Sequence, residues 1–417
     1  MNFVNTFFEI RVNFSRFFHI FVSKRLRTGY QSLSTKHFSI FLRDIEILRN
    51  MWYNKPTVNH KTKKESRIPM NTRARLMEHF QTYPCLCAED VFKYLYQSAF
   101  GCEHLAADFA TVLAYIKREA ESLQDSPLPQ TEPLDGLYSR VHLGWLRHGL
   151  RPETLARLFC LSARTEEDGA SALREKLAVA RDLVANRDLP LEPSEFDRKL
   201  AQWAASGYPA IHHSEAFRAA YHPAYRVISN RYANFMDLFA RMDGLQHPAV
   251  VTIEGGAASG KTTLAAALQE VYDCNVLHTD DFFLRPEQRV PERLAEVGGN
   301  LDRERFWEEI VQPLLCGETV RYRPFNCQTQ SLEAPVSLPP KRLVVVEGSY
   351  SMHPAFGRYY DLAVFLDVPP ALQRERILTR NSPAFAKRFF EEWIPMENAY
   401  FDQMAIRDRA DLRYGRE

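Results

Sequence analysis

Apolar residues between positions 70 and 245 recur mainly at helical spacing. The pattern is clearest over 89–123 and 153–186, and a third such stretch runs from 223 to 242. Proline-rich segments at 126–133 and 189–193 separate these stretches and are typical of loops. No alternation typical of a strand and no internal repeat is evident in this part of the sequence. The pattern therefore predicts an all-α domain over residues 70–245.

The pattern changes after residue 249 to short apolar runs that alternate with helical segments. The runs are continuous rather than alternating, and they lie at 249–254, 275–279, 342–347 and 362–368. A helix is predicted near 302–316, where Gly317 provides its end. Continuous apolar strands separated by helices are typical of a parallel sheet with helices on both faces. We therefore predict an α/β domain over residues 249–417, preceded by the all-α domain.

The first 69 residues differ from the rest of the chain in residue usage. They contain nine Phe and no Ala, and their 13 basic and 4 acidic residues give a net charge of +9. Three interpretations stay open: an organellar targeting peptide, a basic amphipathic segment that rests on a membrane or a partner, and an artefact of start-site choice with the protein beginning at Met70. The abrupt change in composition at Met70 favours the last. This leader is therefore kept out of the fold prediction.

Composition narrows the class of protein. A chain of 417 residues with 45% hydrophobic residues is too long for one compact core and rich enough in apolar side chains for two or three folded domains. No uncharged apolar run is long enough to span a membrane, and seven scattered Cys argue against a disulfide scaffold. The overall charge of +1 hides a net −8 over residues 70–417, which argues against a nucleic-acid partner. We predict a cytoplasmic protein without nucleic-acid or membrane partners.

The segment GGAASGKT, at 255–262, matches the pattern G-x-x-x-x-G-K-[ST] of phosphate-binding loops. Its glycines allow successive backbone N–H groups to point into one anion-binding nest, and the following helix adds its dipole. The Lys261 ammonium then reaches the β- and γ-phosphates, and the Thr262 hydroxyl ligates Mg²⁺. The segment therefore predicts a nucleotide-binding site with Mg²⁺. The residues predicted to bind the nucleotide are Gly255, Gly256, Ala257, Ala258, Ser259, Gly260, Lys261, Thr262 and Thr263.

Acidic residues follow two predicted strands of the α/β domain. HTDDFF places Asp280 and Asp281 after the second strand, and LVVVEG places Glu347 at the end of a later one. Because strand carboxyl ends face the ligand crevice in open α/β sheets, these carboxylates should look toward the phosphate-binding loop. Either aspartate is suited to accept the proton of an attacking hydroxyl or to help hold Mg²⁺, and Glu347 to hold a metal-bound water. Helix capping is the ordinary alternative for the two aspartates.

Three arginines lie on a helix that follows the predicted strand 362–368. Arg376 and Arg380 are four positions apart and share a face, and Arg374 precedes them. In a closing lid they would stabilise the charge on a transferring phosphoryl group, whereas a solvated helix face is the ordinary alternative. Together with the acids they indicate phosphoryl transfer onto a small molecule. The residues predicted to act in catalysis are Lys261, Asp280, Arg376 and Arg380.

Residues 249–412 resemble the uridine kinase-like group of P-loop kinases, which includes uridine, nicotinamide riboside and pantothenate kinases. The motifs that carry the resemblance are GGAASGKTT, HTDDFF, VVVEG and RERILTR. The resemblance implies that Asp280 acts as base toward a primary hydroxyl and that Glu347 supports Mg²⁺. It also implies that Arg374, Arg376 and Arg380 contact the phosphates of ATP. DDFF is closer to nicotinamide riboside kinases than to the D-S-F-Y of many uridine kinases.

The acceptor side departs from the uridine kinase pattern. RYRPFNC, at 321–327, lies roughly where those enzymes carry a Tyr-Asp-Phe loop followed by His, and here Asn326 takes the place of the acid. The resemblance favours a nucleoside-like acceptor such as uridine, with nicotinamide riboside and pantothenate as alternatives. The residues predicted to bind the acceptor are Asp281, Phe282, Arg323 and Asn326.

The most unusual stretch of the all-α domain is IHHSEAFRAAYHPAYR, at 211–226. Its three His, two Arg and two Tyr are compatible with an anionic substrate pocket or with a metal site at His212, His213 and His222, while packing and surface roles are the ordinary interpretation. The domain itself is open to three roles: dimerising the chain, binding a regulator or covering the kinase site. Two rival functions also stay open, an ATP-binding regulator that acts through this domain and an NTPase motor or switch.

Overall fold

The computed structural model describes residues 70–102, 108–126, 128–163 and 169–415. The leader, with its three interpretations, lies outside the described residues. The described residues belong to one compact unit that is bounded by Ile68 and Glu417. We call residues 70–245 the helical region and residues 249–415 the α/β region. The division into two domains between 245 and 249 stays a sequence prediction.

The helical region contains helices and a small antiparallel sheet. Its strands are β1 (Thr131–Asp135), β2 (Tyr138–His142) and β3 (Tyr225–Ser229), and they pair in the order β1-β2-β3. Its helices are α1 (Met70–Thr82), α2 (Ala88–Phe100), α3 (Phe109–Glu121), α4 (Pro152–Ser162), α5 (Gly169–Ala185), α6 (Pro193–Ala205), α7 (Glu215–Tyr221), α8 (Asn230–Ala233) and α9 (Met236–Asp243). The two long helical stretches that the sequence predicts therefore each contain two helices.

The antiparallel sheet corrects the all-α prediction. Strand β2 is buried along its whole length although it contains Ser139, Arg140 and His142, so no alternation of apolar and polar residues marks it. The buried Arg140 guanidinium donates to Gln97 Oε1 at 2.9 Å and pairs with Glu132. Because the Arg140 guanidinium finds these partners inside the protein, the strand can be buried without being apolar. Strand β3 pairs with β2 and replaces the beginning of the helix predicted over 223–242.

The α/β region is built on a parallel sheet of five strands. Its order is β12-β11-β4-β10-β5, and β4 therefore lies at the centre between β11 and β10. The strands of this sheet are β4 (Ala249–Gly255), β5 (Cys274–His278), β10 (Leu343–Glu347), β11 (Leu362–Leu366) and β12 (Leu412–Tyr414). The predicted α/β architecture and its four predicted strands are confirmed. Strand β12 is too short to stand out in the sequence.

Helices and short strands complete the α/β region. The helices are α10 (Lys261–Val271), α11 (Pro291–Ala295), α12 (Arg303–Phe306), α13 (Gln312–Cys316), α14 (Pro370–Arg380), α15 (Pro383–Arg388), α16 (Ile394–Gln403) and α17 (Ile406–Arg409). The short strands β6 (Val320–Tyr322) and β9 (Val336–Leu338) pair with each other, as do β7 (Phe325–Asn326) and β8 (Ser331–Leu332). A π-helical turn joins α12 to α13 just before Pro313, whose missing N–H cannot continue regular helical bonding.

Alternate side chains of the five-stranded sheet enter two different hydrophobic clusters. Val251, Val345 and Val364 belong to a cluster that continues into the helical region through Leu238 and Phe239. The neighbouring residues Val344, Val346, Ala363 and Phe365 belong to a second cluster, which includes Phe282 and Phe306. The helical region thus covers one face of the sheet, which explains why its strands are apolar on both sides. Among the described residues no helix is both long and apolar enough to cross a membrane.

Candidate functional site

The register of the parallel sheet brings the predicted site residues to one edge. Glu347, the last residue of β10, lies beside Ile253 of β4 and beside His278, the last residue of β5. On the other side of β4, Leu366 of β11 lies beside Gly255. The carboxyl ends of four neighbouring strand segments therefore meet where the loop after β4 begins. This is the edge at which open α/β sheets bind ligands.

The loop between β4 and α10 has a backbone that requires glycine. Gly255 has a φ of +148°, and a Cβ built on it would lie 2.4 Å from the carbonyl oxygen of Leu366. Gly260 has a φ of 107° in the left-handed region, and α10 begins at the next residue. The loop therefore passes close against β11 and then turns sharply into a helix N-terminus, the geometry that presents backbone N–H groups to an anion.

The side chains of the loop suit a phosphate group. Lys261 Nζ donates to the carbonyl oxygen of Gly256 at 2.9 Å, so its ammonium folds back over the loop. The hydroxyl of Ser259 is buried and has no hydrogen-bond partner among the described residues. A buried hydroxyl without a partner costs free energy that a ligand oxygen in the loop would recover. The loop thus fits the nucleotide phosphates that the sequence predicts.

Thr262, Glu347 and His278 form a hydrogen-bonded chain beside the loop. The Thr262 hydroxyl donates to Glu347 Oε1 at 3.0 Å, and His278 Nδ1 lies 2.6 Å from the same oxygen. This hydrogen bond raises the pKa of His278, because the carboxylate favours the imidazolium form. The carboxylate is buried, whereas the histidine side chain is 39% exposed. His278 is a site residue that the sequence analysis did not assign.

The oxygen atoms of Thr262 and Glu347 suit Mg²⁺. This ion prefers oxygen ligands, and in nucleotide sites it takes one or two from the protein and the rest from phosphate and water. Among the residues that the structure describes, no three His, Cys, Asp or Glu side chains are grouped to hold a metal ion by themselves. A shared site of hydroxyl, carboxylate and phosphate oxygens is therefore the arrangement that these residues can support.

Asp280 lies at the same edge of the sheet, in the 3-10 turn that follows β5. Part of Asp280 is exposed to solvent. Nearby protein atoms nevertheless desolvate its carboxyl, and this raises the pKa of that group. Lys261 opposes this rise, and the negative charge of Glu347 adds to it. A carboxylate with a raised pKa and an open side is suited to accept a proton from a substrate hydroxyl.

Two residues predicted to bind the acceptor lie next to Asp280 but differ in role. Asp281 is partly buried, its carboxyl is hydrogen-bonded to Tyr322, and desolvation raises its pKa. Phe282 is fully buried, between the rings of Phe306 and Tyr322. The prediction that Phe282 contacts the acceptor is therefore wrong, because an aromatic residue directly after the turn points into the second hydrophobic cluster.

The predicted acceptor residues Arg323 and Asn326 stabilise the hairpin of β7 and β8. Arg323 Nε donates to the carbonyl oxygen of Glu333 at 2.7 Å, and Asn326 Nδ2 donates to the Glu333 side chain at 2.6 Å. Asn326 Oδ1 also accepts the backbone N–H of Gln328. These bonds use the polar groups of both residues within the hairpin, so the structure assigns them a local role. Cys327, on the same hairpin, is exposed and lies within electrostatic range of Asp280.

The arginines of α14 separate into two groups. Arg376 Nη1 donates to the carbonyl oxygen of Ala258 in the loop at 2.9 Å, and both Arg376 and Arg380 line a cleft beside the loop. Arg374 instead places its guanidinium over the ring of Phe390, 4.6 Å from the centroid. Residues 374 and 376 lie on nearly opposite sides of a helix, so their side chains leave α14 in different directions. The structure therefore corrects the prediction that Arg374 binds the nucleotide.

Two buried glutamates that the sequence analysis missed support the loop. Glu397 of α16 accepts the Ala257 N–H at 2.8 Å and the Ser349 hydroxyl at 2.7 Å. Glu254 of β4 is fully buried, and desolvation raises its pKa to about 7 although backbone N–H groups favour its charged form. Glu397 lies 140 positions from its partner in the sequence, so no local pattern indicates it. Glu254 is a carboxylate near the end of the otherwise apolar strand β4, and this is the signal that could have indicated it.

The histidine-rich stretch of the helical region does not form the metal site that was considered. His213 is buried with Nδ1 2.9 Å from Asp90 Oδ1 and Nε2 2.5 Å from the Tyr225 hydroxyl. His212 and His222 are exposed on the surface. Burial lowers the pKa of His213 to about 4, so the ring is neutral at pH 7 and both its nitrogens have partners. This is a packed polar cluster rather than a set of metal ligands.

Comparisons with known proteins give distant likenesses. No family model and no curated protein matches the chain. A structure described as a possible uridine kinase from Bacillus stearothermophilus is similar over 41% of this chain and 90% of its own length, with 20% identity and a TM-score of 0.33. Shikimate kinase from Acinetobacter baumannii, in complex with shikimate, is similar over 40% and 84%, with 17% identity and a TM-score of 0.22. At these values neither protein's activity transfers to this chain.

Proposed function

We propose that the protein is an ATP- and Mg²⁺-dependent kinase that phosphorylates a hydroxyl group of a small molecule. One observation supports the proposal most strongly. The phosphate-binding loop, Glu347 and Asp280 lie together at one edge of the sheet. A loop alone supports only nucleotide binding. An acid that can ligate Mg²⁺ and a second acid with an open side add what phosphoryl transfer to a hydroxyl requires.

The residues around the phosphate-binding loop have separate roles in binding the nucleotide and in neutralising its charge. Backbone N–H groups of the loop, other than that of Ala257, which donates to Glu397, bind phosphate oxygens, and the Lys261 ammonium balances their charge. Thr262 and Glu347 would hold Mg²⁺, which supplies further neutralisation of phosphate charge when bound. His278 fixes the orientation of Glu347 through their hydrogen bond of 2.6 Å. Arg376 contacts the same loop through its hydrogen bond to the carbonyl oxygen of Ala258.

Asp280 acts as the general base. Its carboxylate accepts the proton of the acceptor hydroxyl as the oxygen attacks the terminal phosphorus. The pKa raised by desolvation makes the carboxylate a stronger proton acceptor, and the positive charge of Lys261 opposes this rise. The reaction conserves its atoms: the hydroxyl oxygen gains the phosphoryl group, ADP leaves, and the proton passes to Asp280.

The acceptor enters between Asp280 and the hairpin of β7 and β8. Asp281 and Cys327 border this side, as their electrostatic contacts with Asp280 indicate. We infer a nucleoside-like acceptor, with uridine first, from the resemblance of the four motifs taken together to the uridine kinase-like group, although DDFF by itself is closer to nicotinamide riboside kinases. Nicotinamide riboside and pantothenate are the alternatives within the same class.

A substrate screen tests the proposal directly. ADP release is measured with ATP, Mg²⁺ and each of uridine, cytidine, nicotinamide riboside and pantothenate, using the full chain and the Lys261→Ala variant. We expect one acceptor to stimulate ADP release and Lys261→Ala to abolish it. Hydrolysis of ATP that no acceptor stimulates would favour the NTPase switch instead. Absence of any Lys261-dependent turnover in folded protein would reject the proposed kinase.

A further inference from the structure

We propose that the helical region forms one wall of the ATP site and contacts the nucleoside end of the nucleotide. This inference rests on the proposed function, since it names the residues that hold its cofactor. A cleft of about 880 Å³ opens beside the phosphate-binding loop. On one side it is lined by Gly260, Thr263 and Arg376, and on the other by Asn234 and Phe235 of the segment between α8 and α9. The volume is large enough for a nucleoside.

The polarity of the loop indicates which end of the nucleotide occupies the cleft. Lys261 reaches the β- and γ-phosphates, and Thr262 is bonded to Glu347 on the side of Asp280. The terminal phosphate therefore points toward Glu347 and Asp280. The cleft lies on the other side of the loop, along Gly260 and Thr263, and its far wall carries Asn234. When the phosphates of ATP bind along the loop in this direction, its nucleoside lies in this cleft.

The wall formed by the helical region is fixed to the α/β region by specific contacts. Arg231 Nη2 and the Tyr232 hydroxyl bond the two carboxylate oxygens of Glu270 on α10, at 2.8 and 2.5 Å. The ring of Phe235 packs edge-on against Tyr414 of β12, with centroids 4.8 Å apart. These contacts hold the segment against the helix that follows the phosphate-binding loop. The wall is therefore in place before a nucleotide arrives.

The side chains that face the cleft are suited to a nucleobase and ribose. Leu372 of α14 is 37% exposed, and Val368, Pro369 and the partly buried Phe235 add apolar surface. Asn234 is exposed, and its side-chain amide has no hydrogen-bond partner within the described part of the chain. An amide offers both a donor and an acceptor to the edge of a base or to a ribose hydroxyl. Charged side chains such as Asp367, Glu375 and Arg380 also line the cleft, and apolar surface with a few convergent polar groups is typical of small-molecule sites.

The proposal predicts that changes at Asn234 act on the nucleoside and not on the phosphates. Binding of ATP and of inorganic tripolyphosphate to the full chain is measured by titration calorimetry. Asn234→Ala should weaken ATP binding about fivefold through loss of one hydrogen bond. Asn234→Trp should fill the cleft and weaken ATP binding by more than about a hundredfold. Neither variant should change the affinity for tripolyphosphate, which has no nucleoside.

Matched controls separate this proposal from the proposed function. Asn186→Ala changes an exposed asparagine of the helical region outside the cleft and should leave both affinities unaltered. Lys261→Ala should weaken both ligands. Unchanged ATP affinity in Asn234→Trp, with Lys261→Ala still weakening it, would overturn the inference and leave the kinase proposal standing. Equal losses for ATP and tripolyphosphate at Asn234 would also overturn it. ATP binding that did not depend on Lys261 would contradict the proposed function itself, and with it the inference that rests on it.

Discussion

Thr262 and Glu347 are joined by a hydrogen bond of 3.0 Å between the threonine hydroxyl and the carboxylate Oε1. The bond connects the first turn of α10 to the end of β10, two elements that lie 85 positions apart in the sequence. Two oxygen ligands of the kind that Mg²⁺ prefers are thereby fixed next to the phosphate-binding loop. The carboxylate is also held by His278, so its orientation is determined before any ion binds.

Glu347→Gln should therefore change the dependence of activity on Mg²⁺. The amide keeps the shape of the side chain but removes the negative charge, so we expect the Mg²⁺ concentration for half-maximal activity to rise roughly tenfold or more. ADP release measured over a series of Mg²⁺ concentrations checks this. Glu318→Gln, an exposed carboxylate after α13, is the control and should behave as the unaltered protein. An unchanged Mg²⁺ dependence would show that Glu347 does not support the ion.

Asp280→Asn should lower kcat while leaving ATP binding nearly unchanged. Loss of a general base typically costs about 10²- to 10⁴-fold in rate. Asp281→Asn is the matched comparison, because this neighbour is tied to Tyr322 and should act mainly on the KM for the acceptor. Steady-state kinetics with a fixed saturating ATP concentration distinguish the two. Full activity in Asp280→Asn would contradict its assignment as the base.

The sequence predicts the central part of the site because its residues follow strands. Gly255, Asp280 and Glu347 each come at or directly after an apolar run, and parallel strands bring their carboxyl ends to one edge. The position of these residues in the fold therefore follows from local pattern alone. The same reasoning fails for Arg374, because the phase of a helix relative to its neighbours depends on packing, here on Phe390.

Other parts could not be read from local pattern because they depend on distant contacts. Glu397 supports the loop from α16, and Asn234 reaches the cleft from the helical region. Strand β2 carries buried polar residues whose partners, such as Gln97, lie on another element. Phe282 was misassigned because its place beside two aspartates indicated a site, whereas its ring packs on Phe306. In each case a tertiary contact decides the role.

Arg376→Ala and Arg374→Ala form a pair that tests the two faces of α14. Arg376 contacts the phosphate-binding loop at Ala258, so its loss should lower kcat/KM for ATP by about tenfold or more through weaker charge stabilisation. Arg374 packs on Phe390, and its loss should change kcat/KM by less than about twofold. Initial rates at varied ATP concentrations measure both. Equal losses in the two variants would indicate that α14 turns or moves when the nucleotide binds.

The cluster around His213 should make the stability of the fold depend on pH. Burial lowers the folded-state pKa of His213 to about 4, with the hydrogen bond to Asp90 opposing the shift and Arg140 and Lys93 adding to it. The unfolded chain has an ordinary histidine pKa of about 6.5. Between these two values the unfolded state binds more protons, so the contribution of His213 to the free energy of unfolding is fully present above about pH 6.5 and falls as the pH drops toward 4.

His213→Gln should consequently destabilise the protein most at neutral pH. Loss of the ring removes the hydrogen bond that the Tyr225 hydroxyl makes to Nε2 and the one that Asp90 Oδ1 accepts from Nδ1, at a cost of about 1–3 kcal/mol at pH 7. The difference from the unaltered protein should shrink as the pH falls to 4.5, because the variant lacks the titrating group. Urea unfolding at several pH values measures this, and His212→Gln, the exposed neighbour, is the matched control. A difference that stayed constant with pH would mean that His213 is not held neutral in the fold.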